Sequence, residues 1–199
     1  MGVRIAETAD VSPDATIGDG SSVWHLAQVR EQVVLGEGCI VGRGAYIGTG
    51  VQVGDHCKIQ NYALVYEPAS LADGVFVGPA AVLTNDTYPR AVNPDGSLKD
   101  ASDWHAVGVT IEQGASIGAR AVCVAPVTIG AWATVAAGAV VTKDVPAHAL
   151  MVGVPARRVG WVGRAGQPLV ADGDGWRCPA TGQRYEETDN GTLEEVENA

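Results

Sequence analysis

Aliphatic residues recur at every sixth position through most of this chain. From Val11 the series runs through Ile17, Val23, Val29, Leu35, Val41, Ile47, Val53, Ile59, Val65, Leu71, Val77 and Leu83 without a polar member. Four places after each of these except Leu83 stands a small residue: Ala15, Ser21, Ala27, Val33, Cys39, Ala45, Val51, Cys57, Ala63, Ala69, Val75 and Ala81. After a break the aliphatic series resumes at Ile111, Ile117, Cys123, Ile129, Val135 and Val141. An ordinary β protein would alternate with a period of two and turn irregularly. A six-residue frame predicts a very short strand followed by a tight corner, and glycine duly follows the aliphatic position at Gly36, Gly42, Gly48 and Gly54. Three such sides close a triangle of 18 residues, and parallel hydrogen bonds stack successive triangles roughly 4.8 Å apart. The expected fold is an all-β solenoid, a parallel β-helix of about six or more 18-residue coils.

Where the frame fails, other segments begin. The interval from Leu83 to Ile111 is not a multiple of six, so a long loop over 86–107 is inserted into a helix that otherwise spans 1–146. Its prolines, glycine and polar residues suit a projection from one corner, and long loops on rigid scaffolds commonly carry function. Residues 147–165 leave the repeat and are expected to form a short helix; residues 166–199 form an acidic extension with a small hairpin around Pro179-Ala-Thr-Gly182.

Charge sharpens this picture. The net charge is −10, but six of those charges belong to the extension beyond residue 165. An acidic chain is a poor nucleic-acid binder, whereas 147–165 holds Arg157, Arg158 and Arg164 and no acid. A single phenylalanine fits a thin aliphatic column. No apolar run is long enough for a membrane span and no secretory core opens the chain, so a cytoplasmic setting without membrane or nucleic-acid partners is expected. There, Cys39 and Cys57, stacked one coil apart, are expected as free thiols.

The repeating coil also places polar groups. Thr49, Glu67 and Asn85 should stack along one edge, with Gly48, Tyr66 and Thr84 beside them; His25, Arg43, Asn61 and Pro79 should stack along another. A carboxylate, an amide and a phenol thus meet at the base of the loop, a mixed polar setting suited to an amino-sugar acceptor.

The repeat resembles that of the hexapeptide acyltransferases, over residues 11 to about 165. That resemblance implies a left-handed helix and a homotrimer with sites between subunits. The stretch from Ala137 to Trp161 looks like the closing coil and exit of acetyl-CoA-dependent members, which implies Gly138, Lys143, Arg157 and Arg158 at the coenzyme. Cations there suit the phosphates of coenzyme A.

A narrower likeness lies in Ile59-Gln-Asn-Tyr-Ala-Leu-Val-Tyr-Glu67, Val77-Gly-Pro79, Leu83-Thr-Asn-Asp-Thr-Tyr-Pro-Arg-Ala91 and Trp176-Arg-Cys-Pro-Ala-Thr-Gly-Gln-Arg-Tyr185. These resemble a subgroup that acetylates the 3-amino group of nucleotide-linked sugars, either UDP-2-acetamido-3-amino-2,3-dideoxyglucuronate or dTDP-3-amino-3,6-dideoxyhexoses. The chain departs from the commoner pattern in Asp86 and in the loop from Val92 to Trp104, leaving sugar and base open.

The resemblance implies Asn85 as the central residue, orienting the amine, with His25, Asn61, Tyr66, Glu67, Thr84 and Arg90 around the acceptor. Arg90 either contacts the diphosphate or a sugar carboxylate, or braces the loop. Asp86, His25 and His105 are alternative bases. Three rivals stand beside this reading: transfer to another small amine or hydroxyl, a zinc enzyme of carbonic-anhydrase type, and a non-catalytic scaffold. The zinc rival needs clustered histidines, yet His25, His56, His105 and His148 fall at different phases, and no metal is expected.

Overall fold

The computed structural model describes residues 2–189 and 191–196. Its body is a parallel β-solenoid of about eight turns, as the six-residue frame predicts, and is consistent with the left-handed β-helix that the resemblance implies. Strands of two or three residues form three parallel faces of a triangular prism. Lys58 pairs with Phe76 and Leu64 with Val82, each partner one full coil further along the chain. Across the break, Leu71 pairs with Ile111 and Leu83 with Cys123, so the register steps over the inserted segment and then continues unchanged. The excess over one coil equals the length of the loop 86–107.

Each strand turns one residue outward and one inward, so the inward aliphatics form a single dry column. Leu35, Ile47, Ile59, Leu83, Ile111, Ile117 and Ile129 are buried there, with Ala45, Ala63 and Ala133 packed between them. Burying each large side chain contributes about 1.5–3 kcal/mol, which offsets the ordering of short strands.

The corners obey the same frame. At most of these sixth positions the backbone is left-handed, filled by glycine at Gly38 (φ 63°) but by His56 (φ 58°), Tyr62 (φ 60°) and Arg120 (φ 58°) elsewhere, while Pro68 and Pro126 interrupt the series. His56 stacks over Gly38, where a Cβ would strike its ring, so this histidine belongs to a corner. Side-chain oxygens tie the corners together. Asp55 Oδ1 accepts the Glu37 N–H at 2.7 Å, Asp73 Oδ1 the Asp55 N–H at 2.8 Å, and Asn61 Oδ1 the Arg43 N–H at 2.8 Å.

The exit departs from expectation. Instead of a short helix over 147–165, Ala149–Val152 adds a strand to the first face, parallel to Thr134–Val135, and Arg157–Trp161 returns antiparallel to it. The reason is local: Gly153 is left-handed at φ 97° and Pro155 lacks an N–H, so the chain reverses where a helix would need donors. The extension also exceeds a hairpin. Strands Val170–Asp172, Gly175–Arg177, Arg184–Glu187 and Leu193–Val196 form a four-stranded antiparallel sheet. Residues 190 and 197–199 of the predicted extension lie outside the described residues.

This sheet closes the open end of the solenoid, the role a terminal cap must fill. Tyr185 is 2% exposed, its ring 5.2 Å from that of His148, and Arg164 pairs with Glu195 at 2.9 Å. Cys39 and Cys57 are buried free thiols on adjacent coils.

Candidate active site

The site grows from one corner edge of the prism. Because Leu64–Val65 pairs with Tyr46–Ile47 below and Val82–Leu83 above, the residues that follow these strands stack in register. Gly48, Tyr66 and Thr84 form one column, and Thr49, Glu67 and Asn85 the next. Thr84 is held by its hydroxyl, which accepts the Ala125 N–H at 3.0 Å. Asn85 is held by its backbone carbonyl, which accepts the Val107 N–H at 3.1 Å where the loop returns. Its side-chain amide makes no hydrogen bond among the described residues, so both its donor and its acceptor face remain available.

One coil below, the Glu67 carboxylate folds over Gly48. A Cβ at Gly48 would collide with it, so this corner requires glycine. Elsewhere the equivalent Asp or Asn oxygen caps an N–H of the coil beneath. Glu67, one methylene longer, leaves Oε2 buried with no hydrogen-bond partner among the described residues. Such an atom costs free energy unless a ligand supplies a donor. The Tyr46 and Tyr66 rings lie beside it, 5.3 Å apart and tilted by 47°. Burial raises the Tyr46 phenol above its usual value, and the Glu67 charge adds to the effect.

Val82 pairs with Val122 and Val122 with Val140, so the Asn85 column continues through Ala125 to Lys143. Lys143 therefore follows a strand two coils above the one that leads to Asn85, just before the chain leaves the 18-residue spacing where Val145 bridges Ile129. The inserted loop hides this alignment from simple counting. Lys143 is exposed and makes no ion pair among the described residues.

The remaining candidates lie elsewhere. His25 and Asn61 share a different edge, where with Trp24, Arg43 and Gln60 they line a cavity of about 310 Å³. His25 Nδ1 is 3.0 Å from the Thr8 hydroxyl, and the Asn61 oxygen is already occupied by the Arg43 N–H. Gly138 sits at a left-handed corner (φ 70°) on that same edge, several coils higher. Within one chain these groups do not meet Asn85.

Arg157 and Arg158 lie on the antiparallel exit strand. Arg158 rests 4.0 Å from the Trp161 ring centre and 3.5 Å from Glu187, whereas Arg157 is exposed and donates to the Ala156 carbonyl. The loop carries Arg90 and His105. Asp86 Oδ1 accepts the Tyr88 N–H at 2.8 Å, which commits one of its oxygens to the loop turn. His148 is structural: its Nδ1 lies 2.9 Å from the Val162 carbonyl, and burial lowers its pKa. Among the described residues no three His, Cys, Asp or Glu side chains converge as a metal site.

Comparison with known proteins places these features in context. Residues 14–49 match the bacterial transferase hexapeptide (six repeats) family, and residues 108–143 match the hexapeptide repeat of succinyl-transferase. The chain is 31% identical over 152 residues to the bifunctional protein GlmU of Thermosynechococcus vestitus, covering 76% of this chain and 30% of that protein. It is 39% identical over 90 residues to the serine acetyltransferase of Escherichia coli, covering 45% and 32%. The chain thus spans about a third of the length of the curated relatives it matches.

Among solved structures, a GDP-perosamine N-acetyl transferase mutant from Caulobacter crescentus, in complex with CoA and GDP-perosamine, superposes with a TM-score of 0.56 at 26% identity, covering 80% of this chain and 57% of that one. A hexapeptide-repeat acetyltransferase of Vibrio cholerae complexed with acetyl coenzyme A gives a TM-score of 0.56 at 26% identity, covering 66% and 72%.

Proposed function

We propose that this chain, built from the bacterial transferase hexapeptide repeat, is an acetyl-CoA-dependent N-acetyltransferase whose acceptor is the amino group of a nucleotide-linked sugar, the 3-amino group in particular. The observation that carries the reading is the pairing of an unoccupied Asn85 amide with the unpartnered buried oxygen of Glu67, in one column with Lys143. Solved neighbours that bind CoA or acetyl coenzyme A, one of them with a nucleotide-linked amino sugar, support it.

In this reading the Glu67 carboxylate, with Tyr66 alongside, draws in the acceptor as its ammonium, which first gives up one proton to solvent so that the neutral amine carries a lone pair. The Asn85 carbonyl oxygen accepts a hydrogen from the nitrogen and turns its lone pair toward the thioester. The nitrogen bonds to the carbonyl carbon as the C=O π pair moves to oxygen, where a backbone N–H stabilises the charge. That pair then returns, the C–S bond breaks, and the departing thiolate takes the proton shed by nitrogen. Lys143, with Arg157, would hold coenzyme phosphates. Asp86 and His105 remain the alternative bases nearest this edge.

We further propose a homotrimer with sites between subunits. The second face turns Tyr46, Leu64, Val82, Val122 and Val140 outward, an apolar stripe that a second copy would cover. Assembly would bring the His25 and Asn61 edge of one copy toward the Asn85 edge of another. Light scattering of the purified chain should read three copies per particle.

The likeness to serine acetyltransferases favours one second reading, transfer to a small hydroxyl acceptor. Release of CoA thiol, measured with UDP-, dTDP- and GDP-linked amino sugars beside free serine, separates the two. Turnover with serine alone would overturn the amino-sugar assignment.

A further inference from the structure

The loop 86–107 is more than a cover for the site, because it encloses space of its own. A short hairpin organises it: Val92 bridges Leu98, and the Lys99 N–H donates to the Ala91 carbonyl at 3.1 Å. This brings Arg90 and Lys99, well separated in sequence, to neighbouring positions on opposite arms. With Asp86, Ala91, Leu98, Asp100, Ala101 and Trp104 they line a cavity of about 450 Å³, so two cations and two carboxylates border it. A second cavity, of about 310 Å³, shares Asp86, Lys99 and Trp104 and reaches His105. Trp104 therefore borders both spaces, and it is 36% exposed.

The charges in this loop are unevenly committed. Asp86 accepts the Tyr88 N–H; Asp95 accepts from Ser97 N–H and hydroxyl; Asp100 accepts from Ser102 N–H and hydroxyl; Asp103 accepts from Asp100 N–H and the Asn93 amide. All four carboxylates thus serve the loop's own backbone. Neither Arg90 nor Lys99 makes a direct ion pair among the described residues, although the Lys99 charge acts on Asp103; Arg90 donates only to the adjacent Pro89 carbonyl.

We infer that this cavity is a nucleoside-diphosphate subsite, holding the pyrophosphate between Arg90 and Lys99 and the base against Trp104. A guanidinium and an ammonium together suit a pyrophosphate, and an indole face stacks any base without reading its edge. The inference rests on the acetyltransferase reading for its direction: Asp86, which lines the cavity, directly follows Asn85, so a sugar attached to the diphosphate extends toward the reacting column. The subsite would bind the nucleotide half of the acceptor. The same chemistry occurs in the adenosine diphosphate portion of coenzyme A, and the test must separate the two.

Isothermal titration of the full chain with UDP, dTDP and GDP, and separately with acetyl-CoA, does so. At least one nucleoside diphosphate should bind the parent chain and change tryptophan fluorescence. Arg90→Ala, Lys99→Ala and Trp104→Ala should each weaken that binding at least tenfold, with thermal unfolding and acetyl-CoA affinity unchanged. Absence of nucleoside-diphosphate binding, equal affinity in folded Arg90→Ala and Lys99→Ala variants, or loss of acetyl-CoA affinity instead, would each overturn the assignment. Acetyl-CoA binding to the parent is read independently: if it persists while nucleotides fail, only this subsite falls, and if it too is absent, the acetyltransferase reading falls with it.

Discussion

Replacing Asn85 with alanine removes the group placed at the reacting nitrogen while touching little else. Its side-chain amide has no hydrogen bond to lose among the described residues, and its backbone carbonyl bond to Val107 survives the change. The residue is half-buried and truncation deletes only its carboxamide, keeping Cβ, so no hydrocarbon burial is forfeited. Catalysis should respond differently. Losing one oriented polar group at a reacting centre costs on the order of 10²–10³ in turnover, about 2.7–4 kcal/mol at the transition state. The expected signature is a fall in kcat of about a hundredfold or more, with a near-normal unfolding midpoint and an unchanged particle mass. CoA thiol release under saturating acetyl-CoA, beside thermal unfolding and light scattering, measures both arms. Turnover equal to the parent's would refute the role of Asn85; a collapse in stability would show that its amide serves the fold.

Three further outcomes follow from the same geometry. Gly48→Ala places a methyl group where the Glu67 carboxylate and backbone lie; it should cost about 1–3 kcal/mol in urea unfolding and lower turnover by displacing Glu67, and unchanged values in both would deny the packing described. Tyr185→Ala removes a ring that is 2% exposed between the terminal sheet and the last coil; a loss of about 3–5 kcal/mol is expected, whereas a loss under about 0.5 kcal/mol would mean that the sheet does not cap the solenoid. Burial lowers the His148 pKa, so the fold favours the neutral ring; its contribution to stability is full above about pH 6.5 and is lost as the pH falls toward the lowered folded value. The thermal midpoint should therefore drop on acidification, and less steeply in His148→Gln; parallel pH profiles would contradict this.

The solenoid was legible because one physical constraint repeats. Nearly every inward position is apolar and most corners take left-handed backbone, so the frame is written at Val23, Val41, Ile59 and Val77 alike. The stacking of Glu67 beneath Asn85 could be read for the same reason, since it needs only the coil length. Lys143 was named only through the resemblance, and its alignment with the Asn85 edge escaped because the inserted loop breaks the count between Asn85 and Ala125. The exit misled for a local reason: Arg157 and Arg158 allow a helix by composition, while Gly153 and Pro155 forbid its hydrogen bonds. The cavity of Arg90, Lys99 and Trp104 was hidden for a third reason. It depends on which loop backbone groups the aspartates cap, and no periodicity encodes that.

The central claim is that acetyl passes from coenzyme A to the nitrogen of a nucleotide-linked sugar at the Asn85 edge. Labelled acetyl-CoA incubated with nucleotide-linked 3-amino sugars, followed by mass analysis of the sugar product, tests it most directly. The account predicts label on the sugar nitrogen with the parent chain and little or none with folded Asn85→Ala. Label found on no nucleotide-linked amino sugar, or transferred equally by both proteins, would contradict it.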